Sequence, residues 1–373
     1  MNIVFTCGGT GGHINPAIAV ADIWKEQNPN SNILFIGAKD RMEEELVPKA
    51  GYDLYTIPAL SMSRELSFAG LKRNVQAISY VFKAVAECKK VLRDFKADVV
   101  VGTGGYASFS ALMAGSLLGI PICVHEANAM PGLTTRMIAK RADRVLTCFP
   151  ESAQYYANPK KVETVGMPVR KEFIFTKKED ARKELSLDNR PMIVSAFGSQ
   201  GARAMNEVML ELFRLEKEAG YPFQHYHATG SYGWEWMPEA IKKIGIEENK
   251  GITVMEYIYN MPTMMAAADL VISRAGASSC NEIAASGTPC ILIPSPNVTN
   301  NHQEKNARAL FNQGAAVLVL EKDCTAETLM AEITSLLGDD ARKREMEKSL
   351  QKMCVVDSAQ RLCDIIKELG SRK

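Results

Sequence analysis

A chain of 373 residues, 46% apolar and 23% charged, carries enough hydrophobic material for two ordinary domains and is neither disordered nor fibrous in composition. Its formal net charge of +1 gives no general attraction to nucleic acid, and no run approaches the roughly 20 apolar residues that span a bilayer. The nine cysteines include no Cys-x-x-Cys pair and no metal-finger spacing; with Cys123, Cys280 and Cys290 in apolar surroundings, they read as reduced thiols in a reducing compartment.

The chain opens on a strand, Asn2-Ile3-Val4-Phe5-Thr6, rather than on the basic and apolar regions of a signal peptide. That strand runs into Gly8-Gly9-Thr10-Gly11-Gly12-His13 and then a helical pattern over 16–24. A glycine-rich loop between strand and helix lets the backbone approach a phosphate and aims free N–H groups at it. The loop lacks the Gly-Lys-Ser/Thr of a P-loop, and Ile14 stands where a dinucleotide fingerprint has its third glycine. His13 falls at a helix N-terminus, whose positive dipole end disfavours imidazolium. It is therefore available as a neutral base or hydrogen-bond partner, or serves simply to fill the loop.

Over 68–92, Phe68, Leu71, Val75, Ile78, Phe82 and Val85 recur at spacings of three and four among Lys72, Arg73, Lys83, Lys89 and Lys90. The pattern suits either a core-facing helix with a solvated basic face or a surface helix that meets anionic lipid. A second strand, 99–101, enters Gly102-Thr103-Gly104-Gly105-Tyr106 and a helix ending near Leu118. His125-Glu126-Ala127-Asn128 follows, then a basic helical stretch with Arg136, Lys140, Arg141 and Arg144. Turn residues at Gly166-Met167-Pro168 mark a domain boundary ahead of a charged stretch.

The second half starts again with a strand over 192–197, the loop Gly198-Ser199-Gln200-Gly201-Ala202 and a helix to Phe213, a weak repeat of the first unit. His225 and His227 alternate along a strand with no third ligand near them in sequence, so strand packing is a better reading than metal. From Ile272 to Glu282 a strand ends in a small-residue turn and a helix begins that bears a carboxylate. Small residues admit a nucleotide against the backbone, and a fixed carboxylate can accept both ribose hydroxyls. Gln303 opens a further polar helix and can donate to a phosphate. No Asp-x-Asp motif is present, so a site clamped by Mg²⁺ is not indicated, and no cofactor or metal is expected.

Strands alternating with amphipathic helices indicate an α/β protein of doubly wound parallel sheets. Taken together, the three glycine loops, His125-Glu126-Ala127-Asn128, Gly166-Met167-Pro168-Val169-Arg170 and the Arg274-to-Glu282 segment resemble the MurG family of bacterial UDP-N-acetylglucosamine transferases, over essentially the whole chain. The resemblance implies the glycosyltransferase B fold, with two Rossmann-like domains facing across a cleft. Residues 1–165 would form an acceptor and membrane-associated domain, 166–355 the UDP-GlcNAc domain, and 356–373 a helix returning to the first. It implies inverting transfer of GlcNAc from UDP-GlcNAc to the C4 hydroxyl of undecaprenyl-pyrophosphoryl-MurNAc-pentapeptide, at an anionic membrane surface on the cytoplasmic face of the cell membrane. Nucleic acid is not an expected partner.

On that resemblance Thr10, Gly11 and Gly12 are backbone contacts to the donor side, and Asn128 lies near the GlcNAc. Arg170 and Ser199 hold the diphosphate, and Ile258 presents its backbone to the uracil. Ala277, Ser278, Ser279, Cys280, Asn281 and Glu282 line ribose and diphosphate, with Glu282 on the ribose hydroxyls and Gln303 close to the phosphates or sugar. His13 is the first choice of catalytic base and Glu126 the second. Ala127 and Met167 depart from the family's usual polar residues. A UDP-GlcNAc 2-epimerase and a glycolipid synthase are the alternatives on the same fold.

Overall fold

The structure is a computed structural model that describes residues 1–9, 11–58, 68–246 and 250–372, with side chains of the helix Phe68–Asp94 described from Ser79 onward. It forms two compact units, Met1–Val169 with Asp357–Lys373, and Arg170–Val356.

The first unit holds β1 (Asn2–Thr6), β2 (Asn32–Ala38), β3 (Asp53–Ile57), β4 (Val99–Gly102), β5 (Ile122–Glu126), β6 (Arg144–Thr147) and β7 (Val162–Thr164). They make one parallel sheet in the order β3-β2-β1-β4-β5-β6-β7. Every residue of β4 and β5 is buried, as expected of strands covered by helices on both faces, which need no polar alternation. One side of the sheet packs Ile3, Phe5, Ile14, Trp24 and Phe35; the other packs Val4, Ile36, Leu92, Leu112 and Val145. The helix Ser358–Gly370 lies on the first side, against the helix Gly11–Gln27, and buries Leu362, Cys363, Ile365, Ile366 and Leu369 as one stripe.

In the second unit β8 (Met192–Ala196), β9 (Gln224–Ala228), β10 (Ile252–Met255), β11 (Leu270–Ser273), β12 (Cys290–Leu292) and β13 (Val317–Leu318) form a second parallel sheet, ordered β10-β9-β8-β11-β12-β13. The winding is the same in both units. Chain order reverses between β1 and β4 in one and between β8 and β11 in the other, and ligands of such sheets bind outside the strand ends at that reversal. All four small-residue loops singled out from the sequence leave these four strands. Because β1 and β8 hold equivalent places, their loops read as a repeat.

Two helices differ from their expected extents. The helix expected to end at Phe213 runs Arg203–Glu218, and the first begins at Gly11, not near Pro16, with Pro16 inside it. Proline in the second turn forfeits one early backbone bond, and the Thr103 hydroxyl donates to the His13 carbonyl at 2.6 Å, so tertiary contacts hold a turn that Gly-Gly-His would not form alone.

Candidate active site

In the first unit the loops after β1 and β4 touch backbone to backbone. A Cβ on Gly105 would sit 2.6 Å from the Gly8 carbonyl oxygen, and Gly105 itself has φ +91°, so only glycine fits there. A Cβ on Gly104 would fall 2.7 Å from Nδ1 and 2.8 Å from Cε1 of His13, which places the imidazole against that bare backbone. His13, Gly11 and Gly12 form the first turn of their helix. Thr10 lies outside the described residues. Behind the loop stands a residue the sequence reading missed: wholly buried Glu43, whose Oε1 accepts from the amides of Gly9 (3.0 Å) and Ala38 (3.2 Å). In sequence it is one of three consecutive glutamates at a helix start, the usual mark of a solvated end.

At the end of β5, Nε2 of buried His125 donates to the Gly166 carbonyl (2.9 Å), and burial lowers the imidazole pKa, which keeps the ring neutral. Glu126 is buried beside it and occupied on both oxygens. Its Oε1 accepts from the Asn128 amide (3.0 Å) and side chain (3.1 Å), and its Oε2 from the Gly132 amide (3.1 Å). Three N–H donors thus occupy this carboxylate, a geometry that fits a residue that shapes the loop and aims Asn128. Ala127 and Met167, the two departures from the family pattern, are both buried and present no side chain at the surface.

In the second unit the ends of β10, β9, β8, β11 and β12 bring five segments into a row. Ile258 follows β10 and is buried, so its side chain does not face a ligand. Ser199, in the loop after β8, is exposed between Gly198 (φ +93°) and Gly201 (φ +79°). After β11 the helix Ala277–Ser286 starts from Gly276, whose extended backbone offers no side chain to cap the first amides. Three amides at the positive end of a helix dipole remain for an anion. Arg274, just before this turn, is not among them: it donates to the Ile293 carbonyl (3.1 Å), pairs with Glu321 and covers the Phe197 ring.

Ala277, Ser278 and Ser279 are half-buried at this helix start, and Cys280 is buried. Burial pushes the Cys280 thiol up to about 12, and half-buried Asn281 donates back to the Ala277 carbonyl (2.8 Å) of its own helix. Burial raises the Glu282 carboxyl above its usual range, and the charge of Arg170 draws it part of the way back. The two are brought together because the short helix Lys171–Phe175, which Arg170 precedes, packs on the helix Ala277–Ser286. Gln303 accepts the Ser295 amide on Oε1 (2.9 Å), which leaves its NH₂ to donate. His225 and His227 are buried in the sheet, and the described residues contain no group of three or more metal-ligating side chains.

Residues 3–147 match the glycosyltransferase family 28 N-terminal domain, and residues 192–362 match the C-terminal domain of the same family. A curated protein of Acetivibrio thermocellus, named UDP-N-acetylglucosamine–N-acetylmuramyl-(pentapeptide) pyrophosphoryl-undecaprenol N-acetylglucosamine transferase, is 39% identical over 374 residues, 100% of this chain and 99% of its own. A protein of the same name from Thermoanaerobacter sp. is 40% identical over 370 residues, 99% of this chain and 100% of its own. The crystal structure of Acinetobacter baumannii MurG superposes with a TM-score of 0.78 at 26% identity, covering 98% of this chain and 99% of that one. The two parallel sheets are thus those of the glycosyltransferase B fold. A UDP-GlcNAc 2-epimerase from Neisseria meningitidis, at 14% identity and a TM-score of 0.68 over 99% and 100% of the two chains, shares the fold.

Proposed function

Since this chain belongs to the MurG members of glycosyltransferase family 28, we propose that the two strand-order reversals divide its reaction, donor in the second unit and acceptor in the first. The activity is transfer of GlcNAc from UDP-GlcNAc to lipid-linked MurNAc-pentapeptide in peptidoglycan synthesis. The observation that carries the donor assignment is the uncapped helix start at Gly276 with Glu282 and Arg170 beside it. Glu282 takes the ribose hydroxyls. Arg170, Ser199, Gln303 and the amides of 277–279 take the diphosphate, and the Ile258 backbone takes the uracil.

In the inverting step the C4 hydroxyl of MurNAc attacks the anomeric carbon of the α-linked sugar, UDP leaves from the opposite face, and a β-linkage forms. His13 receives the hydroxyl proton, and the amides and guanidinium stabilise the charge that grows on the departing diphosphate. Incubation with UDP-GlcNAc, alone and then with the muramyl-pentapeptide lipid, tests the assignment. UDP release and labelled lipid product are expected only with the acceptor present. Epimerised donor in the absence of lipid, or transfer to diacylglycerol instead, overturns it.

The acceptor's polyprenyl chain stays in the bilayer, and no helix among the described residues is long and apolar enough to cross one. We infer that the first unit docks on the cytoplasmic face of an anionic membrane. In the expected apolar stripe, the side chains of Phe68, Leu71, Val75 and Ile78 lie outside the described residues, and the other two members divide. Val85 packs against the core beside Ala84, Cys88 and Leu92, whereas Phe82 is 73% exposed beside exposed Lys83 and Lys90. Leu117, Leu133 and Met137 are exposed on the two helices that pack next in line. Each basic residue near an anionic surface contributes about 1 kcal/mol, so Lys83→Glu with Lys90→Glu is expected to lower partition onto anionic vesicles by about 30-fold. Co-sedimentation at low and high salt checks this. Unchanged binding, or equal binding to neutral vesicles, means that the basic face is merely solvated.

A further inference from the structure

Behind the Ser199 loop lie five side chains that the transfer step does not use and that water does not reach: Glu216, His225, Ser195, His227 and Asn206. We propose that they form a one-way hydrogen-bond relay that positions the diphosphate loop, with Asn206 as the positioning residue at its delivering end. This role rests on the donor reading of the Ser199 loop.

The direction of each bond follows from the terminal acceptor. The Thr229 carbonyl can only accept, so the Asn206 NH₂ donates to it (2.8 Å) and Oδ1 is turned to Nε2 of His227 (3.2 Å). That nitrogen must carry a proton. His227 has no carboxylate among its partners, and burial, together with His225, holds its pKa down to about 3, so the ring is neutral and Nδ1 is bare. The bare nitrogen takes the Ser195 hydroxyl proton (2.8 Å), and the Ser195 oxygen in turn accepts from Nε2 of His225 (2.8 Å). At the far end His225 Nδ1 and Glu216 Oε1 are hydrogen-bonded at 2.7 Å. From His225 Nε2 onward every donor therefore points toward Thr229, the arrangement in which successive bonds polarise one another.

The Thr229–Gly230 peptide is where the relay meets the loop. A Cβ on Gly201 would fall 2.0 Å from the Thr229 oxygen, so the two backbones are in direct contact. The next amides, Ser231 and Tyr232, donate to the carbonyls of Ser199 and Gln200 at 3.2 Å each. In a trans peptide the carbonyl and the following amide point opposite ways, so fixing the Ser199 carbonyl inward turns the Gln200 amide outward. A misaligned Thr229 peptide would thus re-aim the loop amides while leaving Glu282, Arg170 and the acceptor unit untouched.

Asn206→Leu removes both bonds at nearly constant volume, and Ser195→Ala interrupts the relay while removing one atom. In variants folded by circular dichroism, Asn206→Leu is expected to raise the Kd of UDP and the KM of UDP-GlcNAc roughly tenfold with the acceptor KM unchanged, and Ser195→Ala to move both the same way by less. Nitrogen-15 NMR of the wild-type histidines is expected to show His227 neutral with its proton on Nε2. A folded Asn206→Leu variant with unchanged UDP affinity, or His227 protonated on Nδ1, overturns the relay. Glu282→Ala measured alongside separates the two readings: if it too leaves UDP affinity unchanged, the donor assignment fails; if it alone weakens UDP, only the relay does.

Discussion

Replacing His13 with alanine is expected to lower kcat by about 10²–10⁴, the contribution of a positioned base, while UDP-GlcNAc still binds. The expectation comes from how the ring is held. His13 sits in the first turn of a helix, clamped through its carbonyl by Thr103 and through its ring by the bare backbone of Gly104. The positive end of the dipole disfavours imidazolium at that place, so the ring can take a proton rather than give one. A base must be neutral to work, so wild-type activity should fall as pH drops through the imidazole pKa, and His13→Ala should lose that limb. His13→Asn fills much of the same space and separates lost basicity from lost packing: equal loss in both variants is expected. The rival base is Glu126, whose oxygens already accept from Asn128 and Gly132. If His13→Ala costs less than tenfold while Glu126→Ala abolishes turnover in a folded protein, the base is Glu126.

What the sequence displayed, and what it hid, divides along a physical line. Parallel strands covered on both faces are written as unbroken apolar runs such as Val99-Val100-Val101, and the loops after them need glycine for positive φ or close approach, as at Gly104 and Gly201. Both are local signals, so the four loops at the strand-order reversals were legible residue by residue. The uncapped start at Gly276 was legible for the same reason. Side-chain direction was not. Cys280 stands in the same motif as Glu282, yet it turns inward, because a helix face is chosen by what it packs against, and the Asn281 amide bonds back to its own helix. Glu43 was hidden by its company in a run of three glutamates, and the Glu126 bonds depend on a turn closing six residues later. The strand-packing reading of His225 and His227 captured their burial but not their partners, because Glu216 and Asn206 come from a helix that meets the strand only in three dimensions.

Glu282→Ala is expected to raise the Kd of UDP and the KM of UDP-GlcNAc by about 10²-fold, because two hydrogen bonds to a charged acceptor are lost at once. The same side chain is a cost to the empty protein. Burial raises its pKa in the folded state, so the fold binds its proton more tightly than the unfolded chain does. For an acid, that sign means the residue's contribution is best below the unfolded pKa and worsens as pH rises through the folded one. Arg170 offsets part of this without removing it. Glu282→Gln should therefore leave the Tm of the empty protein equal or higher at neutral pH while still weakening UDP, the pattern of a group kept for binding and not for stability. A 2′-deoxyribose analogue of UDP locates the contact. Wild-type protein should bind it more weakly than UDP, and Glu282→Ala should bind both alike, since a double-mutant cycle closes only on groups that touch. Should the folded alanine variant keep near-normal UDP affinity, or still prefer the full ribose as strongly as the wild type, the carboxylate does not recognise the ribose and the donor lies elsewhere along the row of strand ends.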